Sequence, residues 1–174
     1  RARNLCFRFS HGDLILCSDA HIIVPPNWLE NIIEQYKETN FQILSIHMKP
    51  DPKGVGEIGS IGYGQTLDKN LFTNWVLRTP ELSKDVAIVP GGFAVYKRDI
   101  FKALGGYDDG FNTWGYEDVE LSIKSWLMGY KSDLSTNLVV EHFFRVSAPF
   151  NLQYTDYLYN IIRTAFLHFN QTRI

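Results

Sequence analysis

The sequence predicts an α/β domain, a sheet layered with helices. Three observations carry that prediction. Short apolar runs suited to strands alternate along the chain with longer segments of helical periodicity. At 174 residues the chain matches one domain with a single substantial core. Hydrophobic residues at 45% and charged residues at 21% are ordinary globular values, which argues against extended disorder.

The elements follow in order. Residues 1–10 read as the end of a helix, stopped by His11-Gly12. Leu14 to Ser18 is a continuous apolar run, expected of a central strand covered on both faces. Pro25-Pro26-Asn27 starts a helix whose apolar stripe is Trp28, Leu29, Ile32, Ile33 and Tyr36. Gln42 to His47 is the next strand. Residues 49–64, rich in glycine and proline, form a long loop or irregular strands, and 67–79 fits neither period cleanly. Val86 to Val89 is a strand broken at Pro90-Gly91-Gly92 and resumed over Phe93 to Tyr96. Arg98 to Leu104 is a short helix capped by Gly105, followed by a glycine and aromatic loop to Tyr116. Glu117 to Met128 is a helix, with Val119, Ile123, Trp126 and Leu127 on one side. Leu134 to Glu141 is the last strand, and Tyr154 to Asn170 a closing amphipathic helix.

Bulk properties exclude several classes. A net charge of -2, with scattered basic residues, gives no case for nucleic acid or an anionic membrane as main partner. No apolar stretch approaches the roughly 20 residues that span a bilayer, so no transmembrane segment is expected. The two cysteines, Cys6 and Cys17, make no disulfide framework, and Cys17 reads as a buried free thiol. That thiol pattern suits a cytoplasmic protein, peripheral at a membrane at most. The chain opens without methionine, so a fragment or processed product is expected.

Three clusters could carry chemistry. Asp19 and His21 lie two residues apart in an extended segment, so their side chains point to the same side and can converge on one ion. A carboxylate with an imidazole suits Mn²⁺ or Zn²⁺ better than Ca²⁺; the plainer alternative is a capping Asp and a surface His. In the second cluster, Trp114 and Tyr116 flank Gly115 immediately before Glu117 and Asp118. The acids suit a helix N-terminus, but an aromatic beside carboxylates on a glycine hinge can also stack on a sugar while the acids bind its hydroxyls. The third is His142 with Arg145, residues that taken alone read as structural. Gly91 and Gly92 fit either a tight bend or a close backbone approach to a ligand.

In order, "RARN", "GDLILCSDAHIIVPPNWLE", "VPGGFAVYKRDIFKALGGYDDGFNTWGYEDVEL" and "EHFFR" resemble the catalytic half of GT-A glycosyltransferases. The likeness is to the polypeptide N-acetylgalactosaminyltransferases and the related C-terminal galactosyltransferase-type domain. It implies the C-terminal portion of a GT-A fold, a mixed sheet flanked by helices. Residues 1–174 would form a single partial domain without the N-terminal nucleotide-binding units, and its sheet edge could support self-association.

The resemblance also assigns roles. Asp19, His21 and His142 become a triad for Mn²⁺ or another divalent cation. Arg145 adds positive charge for the diphosphate of a nucleotide sugar, a UDP-sugar first. Gly91 and Gly92 lie beside the sugar, with Trp114, Gly115 and Tyr116 in the substrate loop. Glu117 and Asp118 are the catalytic acids. Asp at 118, where the retaining enzymes carry Asn, favours inverting transfer to a glycan or other hydroxyl acceptor, with Asp118 as base. Two other classes compete: a non-catalytic glycan-binding or scaffold module on the same fold, and a metal hydrolase using Asp19, His21 and His142.

Overall fold

A computed structural model describes residues 2–50, 61–77, 85–145 and 151–169. Five strands form a mixed sheet: β1 (Leu14–Ser18), β2 (Ile22–Ile23), β3 (Ile43–Pro50), β6 (Phe93–Lys97) and β7 (Ser132–His142), in the order β1-β6-β3-β7-β2. A separate hairpin joins β4 (Gln65–Leu67) to β5 (Thr73–Trp75). The helices are α1 (Ala2–Phe9), α2 (Trp28–Thr39), α3 (Arg98–Ala103), α4 (Glu117–Leu127) and α5 (Tyr154–His168). None in the described residues is long and apolar enough to cross a membrane.

Strand direction determines where a site can form. β6 runs antiparallel to both β1 and β3, and β7 runs parallel to β3. The C-terminal ends of β1, β3 and β7 therefore share one edge with the start of β6. That edge collects Asp19, Met48, Gly92 and His142, residues far apart in sequence.

Alternation along the strands builds a core on each sheet face. Phe93 and Val95 pack with Leu44, Ile46, Leu138 and Val140 on the face covered by Ile32 of α2. Ala94 and Tyr96 point the other way, to Ile43, Phe101, Tyr107 and Leu121. A third cluster, with Ile88, Tyr116, Val119 and Ile161, joins α4 to α5.

Several expectations need correction. β1 is an edge strand that pairs only with β6 among the described residues, and Leu16 on its outer face is 39% exposed. An apolar run says that a strand can be covered, not that it is. On α2, Ile32 and Gln35 face inward, whereas Leu29 and Ile33 lie a step around the helix and stay exposed. Gln35 serves there as a polar staple, donating to Leu134 O at 3.2 Å and accepting from Thr136 N–H at 3.2 Å. The inner face of α4 is Val119, Glu120, Leu121, Ser122 and Ser125, while Trp126 and Leu127 are exposed. Ser122 and Ser125 are small enough for close helix–sheet approach, and each hydroxyl donates to a carbonyl one turn back. Residues 86–89 form no regular strand: Ile88 makes an isolated bridge to Gln65, and Asp85 just before makes another to Asp133. The ambiguous segment from 67 holds the hairpin, turned by Asp68, whose Oδ1 accepts from the N–H groups of Asn70 and Phe72. Residues 51–60, within the glycine-rich stretch, and 78–84, which take in the end of the ambiguous one, lie outside the described residues, as does the last expected helical position, Asn170.

Candidate active site

β1 ends at Ser18, and the next residue, Asp19, donates its N–H to Gly92 O at 2.8 Å. Three residues on, β2 pairs with the end of β7, Ile22 opposite His142, and Phe143 N–H reaches His21 O. This short strand brings residue 142 against residue 21. The two imidazole centroids are 4.6 Å apart. Asp19 Oδ2 lies 3.4 Å from His142 Nε2 and 4.0 Å from His21 Nε2.

Each of the three offers a ligand atom, all within 4.8 Å of one another. One oxygen and two imidazole nitrogens fit a borderline divalent cation such as Mn²⁺ or Zn²⁺. The protonation states fit as well. Burial pushes the Asp19 carboxyl up, but the His142 hydrogen bond and the Arg3 charge outweigh it and hold the group below the usual range. Burial and then the neighbouring His142 lower His21, against the pull of Asp19. An ionised carboxylate and a neutral imidazole are the forms that coordinate metal. A capping Asp would use its oxygens on helix N–H groups; Asp19 Oδ2 instead faces two histidines.

The triad borders a cavity of about 470 Å³, within the size range of small-ligand sites. Its lining includes every residue assigned to substrate from the sequence: Gly91, Gly92, Trp114, Gly115, Tyr116 and Arg145. Trp114 is 53% exposed and stacks on Tyr157 at 6.4 Å, leaving its other face open. Tyr116 is buried and donates its hydroxyl to Leu71 O at 2.7 Å, so it supports the wall rather than offering a free ring. Arg145 is exposed at the rim.

Glu117 and Asp118 begin α4 and line the same cavity. Asp118 Oδ2 accepts from Gly91 N–H at 2.7 Å, and Oδ1 from Val119 N–H at 2.9 Å. Burial and then the adjacent Glu117 charge raise the Asp118 carboxyl to about 6, against those backbone hydrogen bonds. The glycine pair acquires a defined role. A Cβ on Gly91 would stand 3.1 Å from Asp118 Cβ, and one on Gly92 would stand 3.3 Å from His142 Cδ2. Each glycine leaves room for a neighbouring side chain, Asp118 or His142, that a Cβ would crowd.

Sequence reasoning missed several residues here. Arg3 donates from Nη2 to Asp19 Oδ1 at 3.1 Å and from Nη1 to Glu117 Oε1 at 3.4 Å, tying the metal side to the acid side. Trp75, Phe144 and Tyr157 complete an aromatic wall. The repeated arginines of "RARN" were a visible signal for Arg3; the aromatics offered none beyond apolarity.

Comparison with known proteins gives this geometry a family. The chain is 30% identical over 179 aligned residues to the Caenorhabditis elegans "Probable N-acetylgalactosaminyltransferase 8", covering 95% of this chain and 42% of that one. A crystal structure of GalNAc-T7 with UDP, GalNAc and Mn²⁺ superposes with a TM-score of 0.72 at 21% identity, over 98% of this chain and 34% of that chain. The Pyrobaculum calidifontis mannosyltransferase PcManGT, solved with GDP-Man and Mn²⁺, superposes at 0.53 and 18% identity, over 82% and 35%. The fold is therefore of the glycosyltransferase type, and the chain spans less than half the length of these proteins. The model named N-terminal domain of galactosyltransferase matches residues 76–154. The glycosyl transferase family 2 model matches residues 1–105, more than half of the chain, which belongs to that family.

Proposed function

We propose that residues 1–174 form a partial GT-A domain that transfers a sugar from a nucleotide diphosphate donor, a UDP-sugar, to a glycan or other hydroxyl acceptor with inversion. The observation that carries this reading is the convergence of Asp19, His21 and His142 at a cavity that Asp118 also lines. Two fold relatives were solved with a nucleotide and Mn²⁺, which favours the same ligands here.

Asp19, His21 and His142 would hold the cation, which offsets charge developing on the leaving diphosphate. Arg145 at the rim adds a fixed positive charge toward the same oxygens. Trp114 offers its open face to a sugar ring, and Glu117, held by Arg3, accepts from sugar hydroxyls. Asp118 takes the acceptor proton as the acceptor oxygen bonds to the anomeric carbon and the carbon–oxygen bond to the diphosphate breaks. A carboxyl poised near 6 is mostly ionised at neutral pH yet basic enough for that transfer.

The test is turnover by the full protein with Mn²⁺, a panel of UDP-sugars and glycan acceptors. Proton NMR of the first-formed product should show the opposite anomeric configuration to the donor. Retention would overturn the base role of Asp118. Glycan binding indifferent to chelator, without turnover of any donor, would favour the non-catalytic module instead.

A further inference from the structure

The loop that carries Trp114 is held by a helix that sequence analysis read only as a closing amphipathic element. Asp156, Tyr157, Asn160 and Arg163 recur on one face of α5 at helical spacing. Arg163 makes two bonds to Asp108, at 2.7 and 3.1 Å, fixing the start of the loop. Asp156 accepts from Thr113 Oγ1 at 3.1 Å and Asn112 Nδ2 at 3.4 Å. The Tyr157 ring lies where a Cβ on Gly115 would come within 2.9 Å, and it stacks beneath Trp114.

Asn160 occupies the centre of this face and is completely buried. Its Nδ2 donates to Asn112 O at 3.0 Å and Gly115 O at 2.8 Å, while Oδ1 accepts from Asn112 N–H at 2.9 Å. Both donor hydrogens and the acceptor are thus spent on the backbone flanking Trp114. That backbone needs holding. Thr113 and Tyr116 sit at φ 30° and 75°, conformations that side-chain-bearing residues rarely adopt and that persist only when surroundings over-determine them. A buried side chain that satisfies both ends of a strained four-residue segment is a means of setting the direction of the indole between them.

We propose that Asn160 is a positioning residue for the reaction. It touches no substrate, and it acts through the Asn112–Gly115 backbone to hold Trp114 over the cavity. The inference rests on the glycosyl-transfer reading above for its kinetic consequence, but not for its structural one.

A double-mutant cycle in the full protein tests it. Asn160→Ala should lower kcat by about 10²-fold, the scale of an ångström-level misplacement. Mn²⁺-dependent UDP affinity should stay within about twofold, because the triad stands on β7 and the turn between β1 and β2. In a Trp114→Ala background the same substitution should cost no more than about threefold. Losses that multiply, or UDP affinity falling in step with kcat, would overturn the proposal. Trp114 emission, isolated by difference from a Trp114→Phe variant, should shift to the red in Asn160→Ala; an unchanged spectrum also overturns it. If the parent turns over no donor, glycosyl transfer fails as a function, while the emission arm still decides the positioning role. If Asn160→Ala does not fold, Asp156→Ala on the outer flank replaces it. A loss of about threefold, absent in the Trp114→Ala background, then supports the proposal, and unchanged kcat contradicts it.

Discussion

Asp118→Asn removes the carboxyl proposed above as the base. With the carboxyl at about 6, roughly 90% of the enzyme carries the base form at pH 7. Activity should therefore rise through about pH 6 and fall about tenfold per unit below it. The amide oxygen can still accept from Gly91 N–H, although the bond from Val119 N–H to the second carboxylate oxygen is lost. We expect kcat to fall by about 10²- to 10⁴-fold, with the acid limb abolished and Mn²⁺–UDP affinity unchanged. Stability provides an independent sign. The folded-state carboxyl lies above its ordinary value, so its contribution is fully present below about pH 4 and lost as pH rises through about 6. The melting temperature of Asp118→Asn should thus gain on wild type between pH 4 and 7. Stopped-flow turnover across pH, beside calorimetry and melting curves, gives all of these quantities. A variant that keeps its acid limb, or loses UDP affinity as fast as turnover, would refute a base at Asp118.

Other substitutions probe the neighbouring walls. Gly91→Ala would drive a methyl against the Asp118 carboxylate, 3.2 Å from Oδ2, and kcat should drop by about tenfold or more with metal affinity intact in a Mn²⁺ titration. Gly92→Ala meets Met48 Cε at 3.2 Å and His142 Cδ2 at 3.3 Å; the flexible methionine can yield, so Mn²⁺ affinity should weaken only a few-fold by the same titration. Trp114→Ala should lower kcat by about 10²-fold, matching Asn160→Ala, with Mn²⁺–UDP affinity unchanged, in steady-state kinetics and a UDP titration.

Much of the fold was legible because local pattern and local structure agree. Leu14–Ser18 forms a strand over the expected residues, and Gly105, at φ 73°, follows α3 as expected. What failed was non-local. Whether β1 lies at the centre or the edge depends on β6, some 80 residues later, and no periodicity in Leu14–Ser18 encodes that neighbour. On α4, apolarity pointed to Trp126 and Leu127. The helix instead buries Ser122 and Ser125, whose hydroxyls are satisfied by its own backbone and so cost little to bury.

The site divides in the same way. Asp19 and His21 could be paired from spacing alone, but His142 joins them only through the Ile22–His142 strand register. Family resemblance reached His142 where local reading could not. Arg3 and Asn160 were missed because their roles consist entirely of long-range hydrogen bonds, to residues 19 and 117 for one and to 112 and 115 for the other.

The central claim is that Asp19, His21 and His142 hold a divalent cation for a sugar-diphosphate donor. Pulsed EPR of Mn²⁺ bound to the full protein tests it most directly. Mn²⁺ held by the triad should couple to two imidazole nitrogens and, on adding UDP, to phosphorus, and His142→Ala should lose one nitrogen and weaken Mn²⁺ affinity more than about tenfold. Mn²⁺ without nitrogen coupling, or an unchanged spectrum in His142→Ala, would contradict it.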